Sequence, residues 1–217
     1  MIELPDCPET EFFSSLSELL TPALHSLDVD RRQLPIRGYR PPGHSRDYIP
    51  PRTAGVLLPI LCHPTGPTML FTVRSLNLGN HPGQVSFPGG GIEHVDQDEI
   101  AASVRETHEE VGINPIQVSP LGVLDYFDTI SGYRVLPVVG LVETPVSLML
   151  DSKEVSESFE VPLNDVLDRV HYQMQLVEYG GKQHKVYSRQ WQQHNIWGAT
   201  AAILIDLINK LENQKLK

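Results

Sequence analysis

Four charged side chains, Arg105, Glu106, Glu109 and Glu110, fall close together in GGGIEHVDQDEIAASVRETHEEVGI, residues 89–113. On a helix, carboxylates at i, i+3 and i+4 repel one another by roughly a few tenths of a kcal/mol per pair, so stability alone would not gather them. A divalent cation reverses that penalty. Hard ions such as Mg²⁺ take oxygen ligands from a few carboxylates and from substrate phosphates while keeping several waters. An arginine beside them can orient a carboxylate through a charge-assisted hydrogen bond. Residue types and spacing together point to metal-assisted chemistry on a phosphate group.

The element that must present these groups is a short helix. At about 100° per residue, Ile100, Val104, Thr107 and Val111 form one packing stripe, with Glu106, Glu109 and Glu110 expected on the opposite side. Asp96 or Asp98 can accept from the first free N–H groups, and Gly112 suits the left-handed position that ends a helix. Ahead of the helix, Phe87-Pro88-Gly89-Gly90-Gly91 has the backbone freedom to let main chain approach a ligand.

The run Arg105-Glu106-Thr107-His108-Glu109-Glu110-Val111-Gly112-Ile113 resembles the R-E-U-x-E-E-x-G-U half of the Nudix box, where U is an aliphatic or similar residue. Counting back from Arg105 along the general pattern gives Gly91 and then Gln97 where a glutamate is usual, with Asp96 and Asp98 on either side. The coenzyme A pyrophosphatase branch of the family has a similarly displaced acid. The upstream stretch LFTVRSLNLGNHPGQVSFPGG, residues 70–90, resembles that branch's signature, with Thr72, Arg74, Ser75, Gly83, Phe87, Pro88, Gly89 and Gly90 in register. Position 79 departs: Gly79 stands where the signature has arginine.

The resemblance implies a Nudix-type α/β/α sandwich, with a mixed β-sheet and the box as loop, helix, loop. It implies cleavage of the pyrophosphate bond of coenzyme A or its thioesters, with Mg²⁺ or Mn²⁺. Glu106, Glu109 and Glu110 are then the expected metal ligands, with Gly90 lending backbone and Arg105 orienting a glutamate. Glu154 and Glu157, on a later acidic run, are candidates for the general base alongside a box glutamate. Arg74, Ser75, His81, Gly83, Phe87, Gly89 and Gly90 are the expected substrate-binding set. Two rivals are weighed beside this: a pyrophosphatase for ADP-ribose or NADH, and a catalytically inactive ligand-binding module. Intact Glu106, Glu109 and Glu110 argue against the second rival.

Seventeen Lys and Arg against 27 Asp and Glu give a formal charge of -10, which argues against a nucleic-acid surface, because phosphate backbones need clustered cations. A small anionic substrate must then be met by local arginines and metal. Cys7 and Cys62 have no CxxC spacing, so free thiols are expected rather than a disulfide framework. No basic region followed by an apolar run opens the chain, and no apolar stretch reaches membrane-spanning length, so a cytoplasmic protein with no membrane contact is expected. A homodimer is left open.

Along the chain, residues 1–50 are expected to hold an amphipathic helix, 8–27, and a Pro/Arg-rich connector, 31–52, packed on a catalytic domain of 51–217. Strands are expected at 54–62 and 68–74, joined by a turn, and at 116–126 and 133–141 after the box. Residues 143–160 read as loop, and 162–167 as a short helix with Asn164 as a candidate cap. A hairpin is expected around Gly180-Gly181, with a closing helix over 196–211.

Overall fold

A computed structural model describes residues 9–39, 52–179 and 181–214. Cys7, Gly180 and most of the Pro/Arg-rich connector (Pro41, Pro42, Gly43, Pro50 and Pro51) lie outside the described residues, as does the side chain of Phe12. In order the elements are α1 (Glu9–Leu20), β1 (Ile36–Gly38), β2 (Arg52–His63), β3 (Gly66–Arg74), β4 (Val85–Ser86), β5 (Gly89–Gly91) and α2 (Glu99–Val111). Next come β6 (Val118–Val123), β7 (Tyr126–Asp128), β8 (Tyr133–Glu143), β9 (Val155–Pro162), α3 (Leu163–Leu167), β10 (Gln173–Tyr179), β11 (Lys182–Trp191), β12 (His194–Trp197) and α4 (Gly198–Gln214).

Strand β2 is the spine. It pairs in parallel with β8 and antiparallel with β3 and β5, within a mixed sheet whose main order is β1-β7-β8-β2-β3-β4. Its apolar run is continuous because both faces are covered. Leu57 and Leu61 pack towards Val111 and Ile113 at the end of α2, while Leu58, Ile60 and Cys62 face Leu16 and Leu20 of α1 and Leu204, Leu207 and Ile208 of α4. Helices on both faces of a mixed sheet make an α/β/α sandwich. A small antiparallel sheet, β10-β11-β12, adjoins it and contacts α4.

The N-terminal segment is tied in at two levels. Strand β1 pairs in parallel with β7, and Leu34 sinks into the α2-side core. The Asp125 side chain, fully buried, takes His25 Nε2, Arg37 Nε and Lys210 Nζ, each at 2.8 Å, which links that segment to α4. A carboxylate buried this deeply is tolerated only with such partners.

Several expectations are corrected. The first helix stops at Leu20 and continues as a single tight turn, Thr21–Ala23, since Pro22 lacks the N–H a continuing helix would use. The described part of the expected connector holds a turn at Arg31–Gln33 and strand β1. The expected 143–160 loop gives way at Val155 to strand β9, antiparallel to β3, in which Ser156, Glu157, Ser158 and Glu160 interrupt the apolar pattern of Val155, Phe159 and Val161. Asn164 lies inside α3, where Pro162 is the cap residue. Ile196 belongs to β12 opposite Arg189, so the closing helix begins at Gly198. Cys62 is a free, buried thiol whose pKa burial pushes up to about 12. Among the described residues, no helix is long and apolar enough to cross a membrane.

Candidate functional site

Helix α2 is fixed before it reaches its charged residues. Asp98 caps it, its Oδ1 accepting from Ala101 N at 2.8 Å, and Gly112 ends it with φ at +80° and its N–H on His108 O. The helix lies so close to β2 that a Cβ on Gly55 would fall 1.8 Å from the Glu99 carbonyl oxygen. Its buried side is Ala102, Ser103, Thr107, Glu110 and Val111, with Ile100 and Val104 only partly covered. The packing stripe is therefore rotated from the expected one, and Glu110 points inward. Small and hydroxylated residues allow the close approach to β2, and hydrophobicity alone does not register them.

Glu110 is 3% exposed, and its Oε2 accepts the Gly89 N–H at 3.2 Å. Burial pushes its pKa up to about 8, with the Glu106 and Glu154 charges adding to the rise and the Gly89 N–H and Arg74 opposing it. Glu106 is raised as well, chiefly by burial, against the pull of Arg105. Glu154 completes the group: one carboxylate oxygen from each of Glu106, Glu110 and Glu154 lies within 4.8 Å of the others. On the loop side, Gly90 sits so close that a Cβ there would fall 2.5 Å from Glu106 Cδ. Three crowded carboxylates, Glu110 buried, Glu106 half-buried and Glu154 exposed, beside backbone at Gly90 that admits no side chain, fit a hard divalent cation.

Arg105 organises the rim. Its Nε and Nη2 meet Asp96 at 3.0 and 2.9 Å, Nη2 also donates to Gly91 O at 3.1 Å, and Nη1 reaches Glu106 at 3.0 Å and Glu109 at 2.8 Å. The hydrogen bonds from Arg105 lower the Asp96 pKa. The two acids flanking Gln97 thus divide the work, Asp96 holding Arg105 and Asp98 capping the helix. Glu109 is exposed and turned to Arg105, outside the carboxylate group.

The upstream motif closes on the same place. Ser75 N–H donates to the Glu154 carbonyl at 2.8 Å, and Gly83 N–H to the Arg74 carbonyl at 3.0 Å. Arg74 has a buried Nε with no hydrogen-bond partner among the described residues, and its charge acts on Glu110. His81, at φ +54°, bonds Gln84 Oε1 at 3.0 Å and shapes the loop. Phe87 is core, 4% exposed and stacked on Phe71 at 5.3 Å, so its ring is not brought to the site. Nor is Glu157, which pairs with His194 Nε2 at 3.3 Å. Sequence reasoning missed Arg31, which donates to Asp98 at 2.7 Å and Glu99 at 2.8 Å from far upstream. No local motif marks it, because both partners lie more than sixty residues away.

The NUDIX domain model matches residues 51–184 of this chain. The uncharacterized Nudix hydrolase NudL of Pectobacterium atrosepticum is 42% identical over 163 residues, 75% of this chain and 84% of that protein. The relative of the same name from Photorhabdus laumondii is 42% identical over 184 residues, 85% of this chain and 96% of that protein. Among solved structures, a MutT protein from Methanosarcina mazei Go1 is 18% identical, covering 76% of this chain and 96% of that one at a TM-score of 0.45. With the NUDIX domain model matching more than half of the chain and the two NudL relatives aligned over most of it, the chain belongs to the Nudix family of hydrolases, which act on nucleoside diphosphate derivatives and generally use divalent metal ions.

Proposed function

We propose that this chain hydrolyses the pyrophosphate bond of coenzyme A or its thioesters, releasing (acyl-)4'-phosphopantetheine and adenosine 3',5'-bisphosphate. The observation that supports this reading is the convergence of the 70–90 motif on the carboxylate group: the Ser75 N–H holds the Glu154 backbone, the Gly89 N–H meets Glu110, and the Arg74 charge acts on Glu110. A partly desolvated guanidinium with an unpartnered Nε is suited to an incoming phosphate, whose oxygens accept several N–H donors at once.

Glu106, Glu110 and Glu154 are the residues that would hold the cation, Mg²⁺ or Mn²⁺ by oxygen preference, with Gly90 leaving room for it. When bound, a divalent cation neutralises phosphate oxygens and so favours displacement at phosphorus. The chain's own residues do the rest. Arg105 keeps Glu106 oriented, and Arg74 meets a substrate phosphate. Water adds to one phosphorus, the bond from that phosphorus to the bridging oxygen breaks, and the other phosphate leaves. The proton from water passes to a carboxylate. Of the two loop candidates for this, Glu157 is engaged by His194, which leaves Glu154 to take it on the carboxylate oxygen that does not hold the cation.

A second reading, hydrolysis of ADP-ribose or NADH, is favoured by Gly79, which removes the cation that the signature places there. Purified protein with Mg²⁺ and equal concentrations of CoA, acetyl-CoA, ADP-ribose and NADH, with products separated by chromatography, decides between them. The proposal expects the highest kcat/KM on a CoA substrate. A reversed order would replace it with the second reading, and no turnover on any substrate would favour a binding module.

A further inference from the structure

The N-terminal segment lies upstream of the stretch that matches the NUDIX domain, yet it supplies the side chain that grips the start of α2. Arg31 lies in the turn Arg31–Gln33, whose preceding Asp30 accepts the Arg32 N–H, and Leu34 anchors the end of that turn in the core. From there the guanidinium divides between two carboxylates: Nη2 to Asp98 Oδ2 at 2.7 Å and Nη1 to Glu99 Oε2 at 2.8 Å. The remaining oxygen of each acid is also committed. Asp98 Oδ1 accepts the Ala101 N–H, and Glu99 Oε1 accepts the Tyr126 hydroxyl at 3.0 Å. On the other side, Gly55 of β2 lies directly against the Glu99 carbonyl.

We infer that Arg31 is a positioning residue for the metal-binding carboxylates, acting through the N-terminus of α2; this rests on the proposed hydrolase function. Two physical links connect them. Glu106 and Glu110 lie about two and three helical turns beyond Glu99, so a change in tilt at the start of the rod moves both carboxylates together. Through the loop, Asp98 is two residues from Asp96, and Asp96 holds Arg105, which in turn meets Glu106. Groups that orient ligands from outside the ligand set commonly matter by about 10- to 100-fold in affinity or activity, and Arg31 stands one step further out.

The test uses the full chain with Arg31→Met, which keeps the aliphatic stem, and Arg31→Lys, which has no guanidinium fork to span two carboxylates. Free Mn²⁺ is followed by electron paramagnetic resonance, kcat and KM are measured on the best substrate, and urea unfolding is recorded in EDTA. Arg31→Met is expected to weaken Mn²⁺ binding and lower kcat by about 5- to 20-fold with KM little changed, and Arg31→Lys to fall between it and wild type. Asp98→Asn combined with Glu99→Gln, which preserves the cap acceptor, is expected to give a similar loss, and adding Arg31→Met to that pair no further loss. If wild type binds Mn²⁺ and Arg31→Met matches it in affinity and kcat while unfolding more easily, Arg31 is only structural and the inference is overturned. If wild type binds no Mn²⁺, the proposed function falls first and the inference with it.

Discussion

Asp96 and Arg105 meet through two nitrogen–oxygen contacts, 3.0 and 2.9 Å long, between the loop before α2 and the middle of that helix. The Asp96 side chain is 3% exposed and that of Arg105 19%, so this pair is not one of the exposed ion pairs that contribute little. Its consequence is directional, since Arg105 also reaches Glu106 at 3.0 Å. Asp96→Asn keeps the shape and weakens the grip. The expected outcome is a fall in kcat/KM of about 10- to 100-fold, as for other residues that orient metal ligands. Unchanged turnover in a folded variant would show that Glu106 holds its orientation without this pair.

The box glutamates separate by environment. Glu110 is buried beside Glu106 and Glu154, whereas Glu109 is exposed and paired with Arg105. Glu110→Gln is expected to lower activity by about 10²- to 10⁴-fold, the range for losing a ligand that stabilises the transition state. Without metal it should also make the protein more resistant to urea at neutral pH: the Glu110 pKa is raised to about 8 in the folded state, so stability is lost as pH rises from the ordinary carboxylate value, where the unfolded chain ionises first, and glutamine removes that loss. Glu109→Gln should cost less than about 10-fold, in line with a weakened surface ion pair. Equal losses for the two would mean that Glu109 swings into the metal site on binding.

That contrast marks what the sequence could and could not reveal. Spacing singled out Arg105, Glu106, Glu109 and Glu110 together, Asp96 or Asp98 for the start of α2 and Gly112 for its end, because each is a local pattern with a local cause. Which glutamate turns inward was not local. It depends on Gly55, Ser103 and Thr107 letting β2 and α2 approach, a property of small residues that hydrophobic periodicity ignores. Strand β9 was read as loop because its two serines and two glutamates outweigh Val155, Phe159 and Val161. Arg31 was invisible for a third reason: its partners are distant in sequence, and tertiary packing of the N-terminal segment brings it to them.

Gly79 offers a direct test of substrate recognition. A Cβ built there meets nothing within 4 Å, so Gly79→Arg introduces the signature cation without a steric cost at the backbone. If the position faces the 3'-phosphate of CoA, the variant should lower KM for CoA more than for dephospho-CoA, since a guanidinium favours the extra anion. The comparison needs only steady-state kinetics on the two substrates. Equal changes would place position 79 away from that phosphate.

Gly55 and Gly90 are register partners in the β2-β5 ladder and both lie against α2, yet alanine should harm them in different ways. At Gly55 the added Cβ would lie 1.8 Å from the Glu99 carbonyl oxygen and 3.1 Å from Ser103 N, both backbone atoms of α2. Neither can yield without shifting the helix, so Gly55→Ala should cost several kcal/mol, on the order of other overpacking changes or more. At Gly90 the clash is with the Glu106 carboxylate, at 2.5 Å, and that side chain can rotate away. Gly90→Ala should therefore fold with nearly the stability of wild type while binding Mn²⁺ poorly, because Glu106 leaves the carboxylate group. Urea midpoints in EDTA and Mn²⁺ titrations on both variants separate the two effects. A Gly90→Ala protein that keeps wild-type Mn²⁺ affinity would remove Glu106 from the ligand set, leaving Glu110 and Glu154 to hold the ion.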